Sequence, residues 1–284
     1  MPAPQRISVV ITTYNRSNAL LSVLAGLRHQ DDGNFEVVVA DDGSRDEHVA
    51  AILESPIAQN LGVVHVWHPD VGFTASRARN RGVGASSGDY VVFLDGDCVP
   101  EIDFIRQHRL LAQRGCLVNG SRVMLSPTLT ERVIAGQELP YGRSWPVWWC
   151  WRFCGDAGKL TGTWRLPDGA YRLQPDFRWK GIRSCNMGVW REDFEAVNGF
   201  DESFVGWGHE DADFVLRLHN AGIIRKNGFC ATEVFHLWHK EFSRQQESVN
   251  AITVRQRVRD GTVLPREGFT NSCNGPEVRV TRLG

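Results

Sequence analysis

The sequence predicts an α/β domain built on a mostly parallel central sheet flanked by helices. Three observations carry this. Ile7-Ser8-Val9-Val10-Ile11 and Phe35-Glu36-Val37-Val38-Val39-Ala40 are short apolar runs that suit buried strands, and between them Leu20, Leu21, Leu24 and Leu27 keep helical spacing. Strand, helix, strand is the opening unit of a doubly wound sheet. A further apolar run, Tyr90-Val91-Val92-Phe93-Leu94, ends in Asp95-Gly96-Asp97, and the first two also end in polar residues, Thr12 to Arg16 and Asp41 to Ser44. Ligands of open α/β sheets gather at the carboxyl ends of strands, so these three sets belong on one edge.

Bulk properties narrow the classes. The 284 residues are 42% hydrophobic and 23% charged, ample for one large α/β core. The formal net charge of −1 supplies no global basic field for nucleic acid or an anionic bilayer. Seven cysteines without paired spacing suggest free thiols in a reducing compartment. No charged-then-apolar leader precedes Ile7, and no run approaches the roughly 20 apolar residues that cross a bilayer. The expected location is cytoplasmic, with peripheral membrane contact open through the tryptophans described below.

Residues 1–120 read as a nucleotide-binding half. Ser17 or Asn18 is expected to cap the first helix, and Gly33-Asn34 to end that unit. Residues 63–67 read as a short strand at an edge. Gly72 to Gly82 reads as a helix with three arginines, of which Arg77 is placed to neutralise a diphosphate at the helix N-terminus; a solvated surface helix has the same composition. A carboxylate such as Asp42 accepts from a pyrimidine N–H, and Tyr14 offers a stacking face. Asp41 to Ser44 is equally an ordinary capped turn. Asp95 and Asp97 around Gly96 can hold a hard divalent cation and leave positions for phosphate oxygens, where an acidic turn is the plainer alternative.

Four motifs in order, Val-Ile-Thr-Thr-Tyr-Asn from Val10, Asp-Asp-Gly-Ser from Asp41, Ala-Arg-Asn-Arg-Gly from Ala78 and Phe-Leu-Asp-Gly-Asp from Phe93, resemble the GT-A glycosyltransferases of family 2. The resemblance covers about residues 5–110. It implies a nucleotide-sugar donor and a divalent metal at the Asp-x-Asp motif. Carried over, Thr12, Tyr14 and Asp42 hold the base, and Asp95 contacts the ribose or the metal shell. Asp97 ligates the metal. Beside these carried-over residues, Arg16, Arg77 and Gly96 are further candidates for the nucleotide-sugar set.

Residues 121–243 read as the acceptor-binding and catalytic half of the same domain. Before them, residues 104–113 suit a helix, and residues 117–123 suit a strand that runs into this half. Residues 124–180 show no periodicity but hold Trp145, Trp148, Trp149, Trp151, Phe153, Trp164 and Trp179 among many arginines. Such a segment suits a binding loop that stacks on sugars or meets an anionic glycolipid or membrane at 145–151, although a small core under a loop fits better the burial typical of Trp. Residues 184–190, with Asn186, read as a strand returning to the sheet, and 192–197 as a helix.

A helix beginning near Glu210 gathers Glu210, Asp211 and Asp213 in its first turn, which helix electrostatics alone favours. Gly206 and Gly208 on either side of Trp207 argue for more, because they allow that aromatic to swing. The stretch resembles the Gly-Trp-Gly-x-Glu-Asp motif of galactosyltransferase-like GT-A enzymes. That implies Asp211 as base, Glu210 as an acceptor contact and Trp207 as a sugar-facing gate. Separately, Trp207 and Asn186 are expected to contact the sugar, and the pocket around them to shape donor choice. Retaining relatives end the stretch in Glu-Asn, so the Asp implies inversion. The helix N-terminus is expected to keep Asp211 ionised. His236 and His239 follow, and the resemblance implies a C-terminal histidine ligand there: His239 first, His236 close behind. Imidazole beside carboxylate suits Mn2+ better than Ca2+, with Mg2+ the other choice. Residues 244–284 are expected to be a partly flexible extension, loose from Gly268 onward.

The reading is an inverting, metal-dependent transferase moving a sugar from a UDP-sugar to a saccharide or glycolipid hydroxyl, by association that of a bacterial surface polysaccharide or lipopolysaccharide. A sugar-nucleotidyltransferase would show a Gly-rich loop and Lys where Thr12 to Arg16 stand. A non-catalytic carbohydrate-binding protein needs neither base nor metal, so Asp95, Asp97, Glu210, Asp211 and His239 argue against it.

Overall fold

In the computed structural model, which describes residues 3–204, 206, 208–240, 247–272 and 277–284, strand β1 (Ile7–Thr13) lies in the middle of the main sheet. Its neighbours are β2 (Phe35–Asp41) and β4 (Tyr90–Asp95), both parallel, with Thr13 opposite Asp41 and Thr12 opposite Asp95. That register sets three polar strand ends on one edge. Alternate residues of β1 enter different layers. Ile7, Val9 and Ile11 pack with Leu20, Leu24 and Leu27 of the helix Ser17–Arg28, while Val10 joins Ala78 and Val83 of the helix Ala75–Gly84 on the other face.

The remaining strands are β3 (Val64–Trp67), β5 (Cys98–Pro100), β6 (Cys116–Asn119), β7 (Ser121–Met124), β8 (Leu173–Gln174), β9 (Asn186–Trp190), β10 (Ile224–Asn227), β11 (Glu233–His236) and β12 (Arg279–Arg282). The main sheet runs β12-β3-β2-β1-β4-β9-β6-β10-β8, and a small sheet runs β5-β11-β7. The expected parallel arrangement holds from β3 to β4. Beyond it the sheet is mixed, because β9 runs antiparallel to both β4 and β6.

Several elements differ from expectation. The strand expected over 117–123 is two strands in two sheets, broken at Gly120, where any side chain would overlap the Asn186 amide. The first helix takes Arg16 at its N-cap with no side-chain cap; Ser17 lies inside the helix, its hydroxyl 3.0 Å from His48 Nδ1. Strand β3 is not an edge, and the described residues of the tail on either side of 273–276 pack against the domain. β12 pairs antiparallel with β3, Arg279 covers the Trp67 ring at 3.6 Å, and Phe269 packs edge-on against Phe194.

The stretch 124–180 contains two regular helices, Pro127–Ile134 and Trp145–Phe153. In the second, Trp148 and Trp151 enter the core while Trp145 (66% exposed), Trp149 and Phe153 (80% exposed) face out. Apolar residues on both faces erase the contrast from which helices are read. Among the described residues no helix is long and apolar enough to cross a membrane, and Cys98, Cys116, Cys150, Cys154, Cys185 and Cys230 are free thiols.

Candidate active site

The three strand ends are laced by backbone. Asp42 N–H donates to Thr13 O at 2.9 Å and Gly96 N–H to Thr12 O at 2.8 Å. A Cβ at Gly96 would stand 3.0 Å from Thr12 O, so glycine is what lets the acidic turn close on β1. Asp42 is buried and accepts from Thr74 N–H at 2.9 Å and from the Thr74 hydroxyl, with His68 Nε2 at 3.1 Å. Behind it Asp41 accepts from Ser44 N–H and faces His65 Nε2 at 2.9 Å. Tyr14, 43% exposed, donates its hydroxyl to Asp70 at 2.8 Å, a bond that raises the phenol's pKa. Thr12 Oγ1 is buried and keeps no partner.

The acidic turn meets the segment after β11. Leu237 N–H donates to Asp97 O at 2.8 Å, which delivers both histidines to the carboxylate: His239 Nε2 lies 3.2 Å from Asp97 Oδ2, and His236 Nε2 3.7 Å from Oδ1. Arg16 donates Nη1 to Asp97 Oδ2 at 2.8 Å and Nη2 to Trp238 O at 2.9 Å. Burial pushes the Asp95 and Asp97 carboxyls up. Burial, then the Arg122 charge, pushes His236 down to about 4, so it is a neutral imidazole at neutral pH. A carboxylate with two imidazoles, one holding a buried Nδ1 without a partner, is a donor set that fits a divalent cation.

The arginine facing this edge is Arg79 rather than Arg77. Arg77 pairs with Glu202 at 2.9 Å. Arg79, 4% exposed, stands 3.4 Å from Asp95 Oδ1 and 3.4 Å from Glu210 Oε1, bridging the two halves. Two residues along a helix point to nearly opposite sides, and nothing in Ala-Arg-Asn-Arg-Gly says which faces inward. Asn186 is fully buried away from the cleft. Its amide donates to Ser121 O and Thr232 O, and its carbonyl oxygen faces His108.

Across the cleft, Gly206 (φ 76°), Gly208 (φ 108°) and His209 (φ 70°) are left-handed just before the helix Glu210–Asn220; Trp207 between them lies outside the described residues. His209, a non-glycine in that region, carries backbone strain, held in place by Asn250 donating to Gly208 O at 2.8 Å. Glu210 is buried with Oε2 unpartnered. Beside it, burial and then the Glu210 charge push Asp211 up to about 7. The expected ionised Asp211 is corrected here: desolvation and a like charge outweigh the helix end. Asp213 is structural, held by Arg217 at 2.8 Å and Arg257 at 2.6 Å, and Arg257 also clamps Asp201.

Residues 8–160 match the family described as glycosyl transferase family 2, and residues 166–240 match the N-terminal domain of galactosyltransferase. The chain is 31% identical over 234 residues to a validoxylamine A glucosyltransferase of Streptomyces hygroscopicus subsp. jinggangensis, covering 76% of this chain and 52% of that one. It is 32% identical over 236 residues to a chondroitin synthase of Pasteurella multocida, covering 76% of this chain and 23% of the relative. It is 35% identical over 216 residues to the amylovoran biosynthesis glycosyltransferase AmsB of Erwinia amylovora, at 76% and 64% coverage. The chain thus spans about half the length of the first relative, 52%, and less of the second.

Among solved structures, the mannosyltransferase PcManGT of Pyrobaculum calidifontis, in complex with GDP-Man and Mn2+, is similar in fold (TM-score 0.59, 18% identity, 93% of this chain and 70% of that one). So is S. aureus TarS (TM-score 0.61, 14% identity, 94% and 41%). The architecture is the GT-A fold, and since the first match, residues 8–160, spans more than half of its length, the chain belongs to glycosyl transferase family 2.

Proposed function

We propose that the protein is an inverting, metal-dependent hexosyltransferase taking a UDP-sugar as donor and a saccharide or glycolipid hydroxyl as acceptor, of the surface-polysaccharide kind. The observation that carries it is Asp211, a carboxyl held at about 7, joined through Glu210 and Arg79 to the donor-side Asp95. Glycosyl transfer with inversion needs one base on the face opposite the departing group. Asp211 takes the acceptor hydroxyl proton, and Glu210 Oε2, buried and unpartnered, accepts a second acceptor hydroxyl. Asp97, His239 and His236 hold the cation, Mn2+ or Mg2+, which supplies charge neutralisation at the leaving diphosphate. Thr12, Tyr14, Asp42, Gly96 and Arg16 line the nucleotide side, within residues 1–120, and residues 121–243 bring the acceptor. Trp207 is the sugar-facing gate.

The donor choice rests on the resemblance to family 2, and the chondroitin synthase and AmsB relatives support a polysaccharide acceptor. The exposed Trp145, Trp149 and Phe153 support peripheral contact with the inner face of the cell membrane, where a lipid-linked acceptor would lie. Titration calorimetry of UDP with Mn2+ and then with EDTA tests the donor side. Binding only with metal is expected. Binding of GDP in place of UDP would replace the donor, and binding of neither would remove the reading.

A further inference from the structure

We propose that the cleft continues past Asp211 as an acceptor subsite for an anionic saccharide chain, held by Arg183, Lys180 and Arg178, with Phe229 and Leu166 as its apolar surface. The proposal rests on the sugar-transfer reading of Asp211 and adds to it the charge of the acceptor. Sheet topology places the parts. β6 is parallel to β10 and antiparallel to β9, which is antiparallel to β4, so β6 and β10 end on the same edge as Asp95. Backbone contacts trace a path along that edge. The Ser184 backbone N–H meets the Asp211 carboxyl, Asn119 at the end of β6 donates to Gly181 O at 2.9 Å, and Gly228 N–H donates to Asn119 O at 2.9 Å.

Along this path positive charge is uncompensated. Residues 177–183 read Phe-Arg-Trp-Lys-Gly-Ile-Arg, three cations and no acid. Arg178, Lys180 and Arg183 are exposed, and none forms an ion pair with another described residue. Of the neighbouring acids, Asp168 is held by Lys226 at 2.7 Å, and Asp176 stands exposed just before the stretch. The loop is nonetheless fixed. Arg225 Nη1 donates to Arg178 O at 2.9 Å and to Lys180 O at 3.4 Å, and Trp179 packs edge-on against His209 at 5.4 Å. Burial, then the Arg178 charge, lowers the Arg225 pKa, as expected of like charges held close without an acid between them. Cations presented on backbone already held in place lose less freedom when an anion arrives.

Unpaired guanidinium and ammonium groups bind carboxylate or phosphate, Arg through a fork of paired donors and Lys as a point charge. Phe229 (43% exposed) and Leu166 (41% exposed) lie together, since Leu166 N–H donates to Cys230 O at 2.8 Å, and they offer an apolar surface to the C–H faces of sugar rings. An apolar strip beside unpaired cations suits a chain of sugars bearing carboxylates or phosphodiesters. A neutral chain would leave the cations unused.

The test is calorimetry of the full chain with a glucuronate-containing hexasaccharide, the same hexasaccharide with its carboxylates reduced to alcohols, and an oligomer of glycerol phosphate. One of the anionic probes is expected to bind at least about tenfold tighter than the reduced hexasaccharide, with the preference fading as salt is raised. Lys180→Gln combined with Arg183→Gln, both at exposed positions, should abolish that preference. The anion preferred names the charged group of the acceptor. No preference for either anion, or a preference that survives in the double variant, overturns the subsite. So does a double variant that loses only its binding to anionic vesicles, which would assign these cations to a membrane surface. UDP with Mn2+ is titrated into the same samples. Failure of the anion preference with metal-dependent UDP binding intact strikes the subsite alone, whereas absence of UDP binding strikes the sugar-transfer reading, whatever the saccharides do.

Discussion

On the donor side of the cleft the acidic groups are already engaged: Asp42 by Thr74 and His68, Asp95 by Arg79, Asp97 by Arg16 and His239. On the acceptor side Glu210 keeps a buried oxygen without a partner, and Asp211 is pushed to about 7. The donor edge thus resembles a receptor, its carboxylates fixed in place by partners that a nucleotide or cation can exchange. The acceptor edge resembles a reagent, where burial and the neighbouring Glu210 charge make a carboxyl basic. Asp213, two residues from Asp211, shows how local this is. Arg217 and Arg257 hold it, and it has no part in the cleft.

Replacing Asp211 with Asn breaks the comparison most directly. Transfer should fall by about 10²–10⁴-fold while UDP and Mn2+ binding stay unchanged, as single-turnover assays and calorimetry would read; near-normal turnover would remove Asp211 as the base. Arg257→Ala tests whether the acceptor side depends on its buried clamp. It leaves Asp201 fully, and Asp213 partly, without a cation, and urea unfolding should show a loss of about 3 kcal/mol. Asp97→Ala addresses the donor side, with metal-dependent nucleotide affinity falling at least about tenfold in the same calorimetry.

The pH profile sharpens the contrast. The folded pKa of Asp211, about 7, lies above the roughly 3.9 of an unfolded Asp, so its protonated form stabilises the fold. That contribution is fully present below about pH 4 and fades as pH rises to about 7. The proposed base acts in its ionised form, so kcat/KM should rise through an apparent pKa near 7 belonging to the Glu210–Asp211 pair, and Asp211→Asn should flatten that limb. The smallest effect is expected from Trp145→Ser with Phe153→Ser. These exposed positions should lower partition onto anionic vesicles and leave turnover of a soluble acceptor unchanged.

Much of this was legible in the residues. The apolar runs of β1, β2 and β4, and the polar residues ending them, fix the donor edge because strand period and topology leave few alternatives. The meeting of His236 and His239 with Asp97 was legible only through the family motif, since long-range convergence leaves no local periodicity. Arg79 escaped because its helix carries arginines all round, and the helix Trp145–Phe153 because both of its faces are apolar. The tail misled for another reason. Its polar composition suggests disorder, yet four residues, Arg279–Arg282, suffice to complete a ladder that β3 already offers.

That ladder joins distant parts of the sequence, with Val64 beside Arg282. During synthesis β3 can pair with β2 early, but its other side stays an open hydrogen-bonding edge until residues 279–282 have been made. Pairings so distant in sequence close slowly, and an open edge recruits other chains in the meantime. A chain stalled before residue 279 is therefore expected to present an adhesive seam that pairing with Arg279–Arg282 conceals.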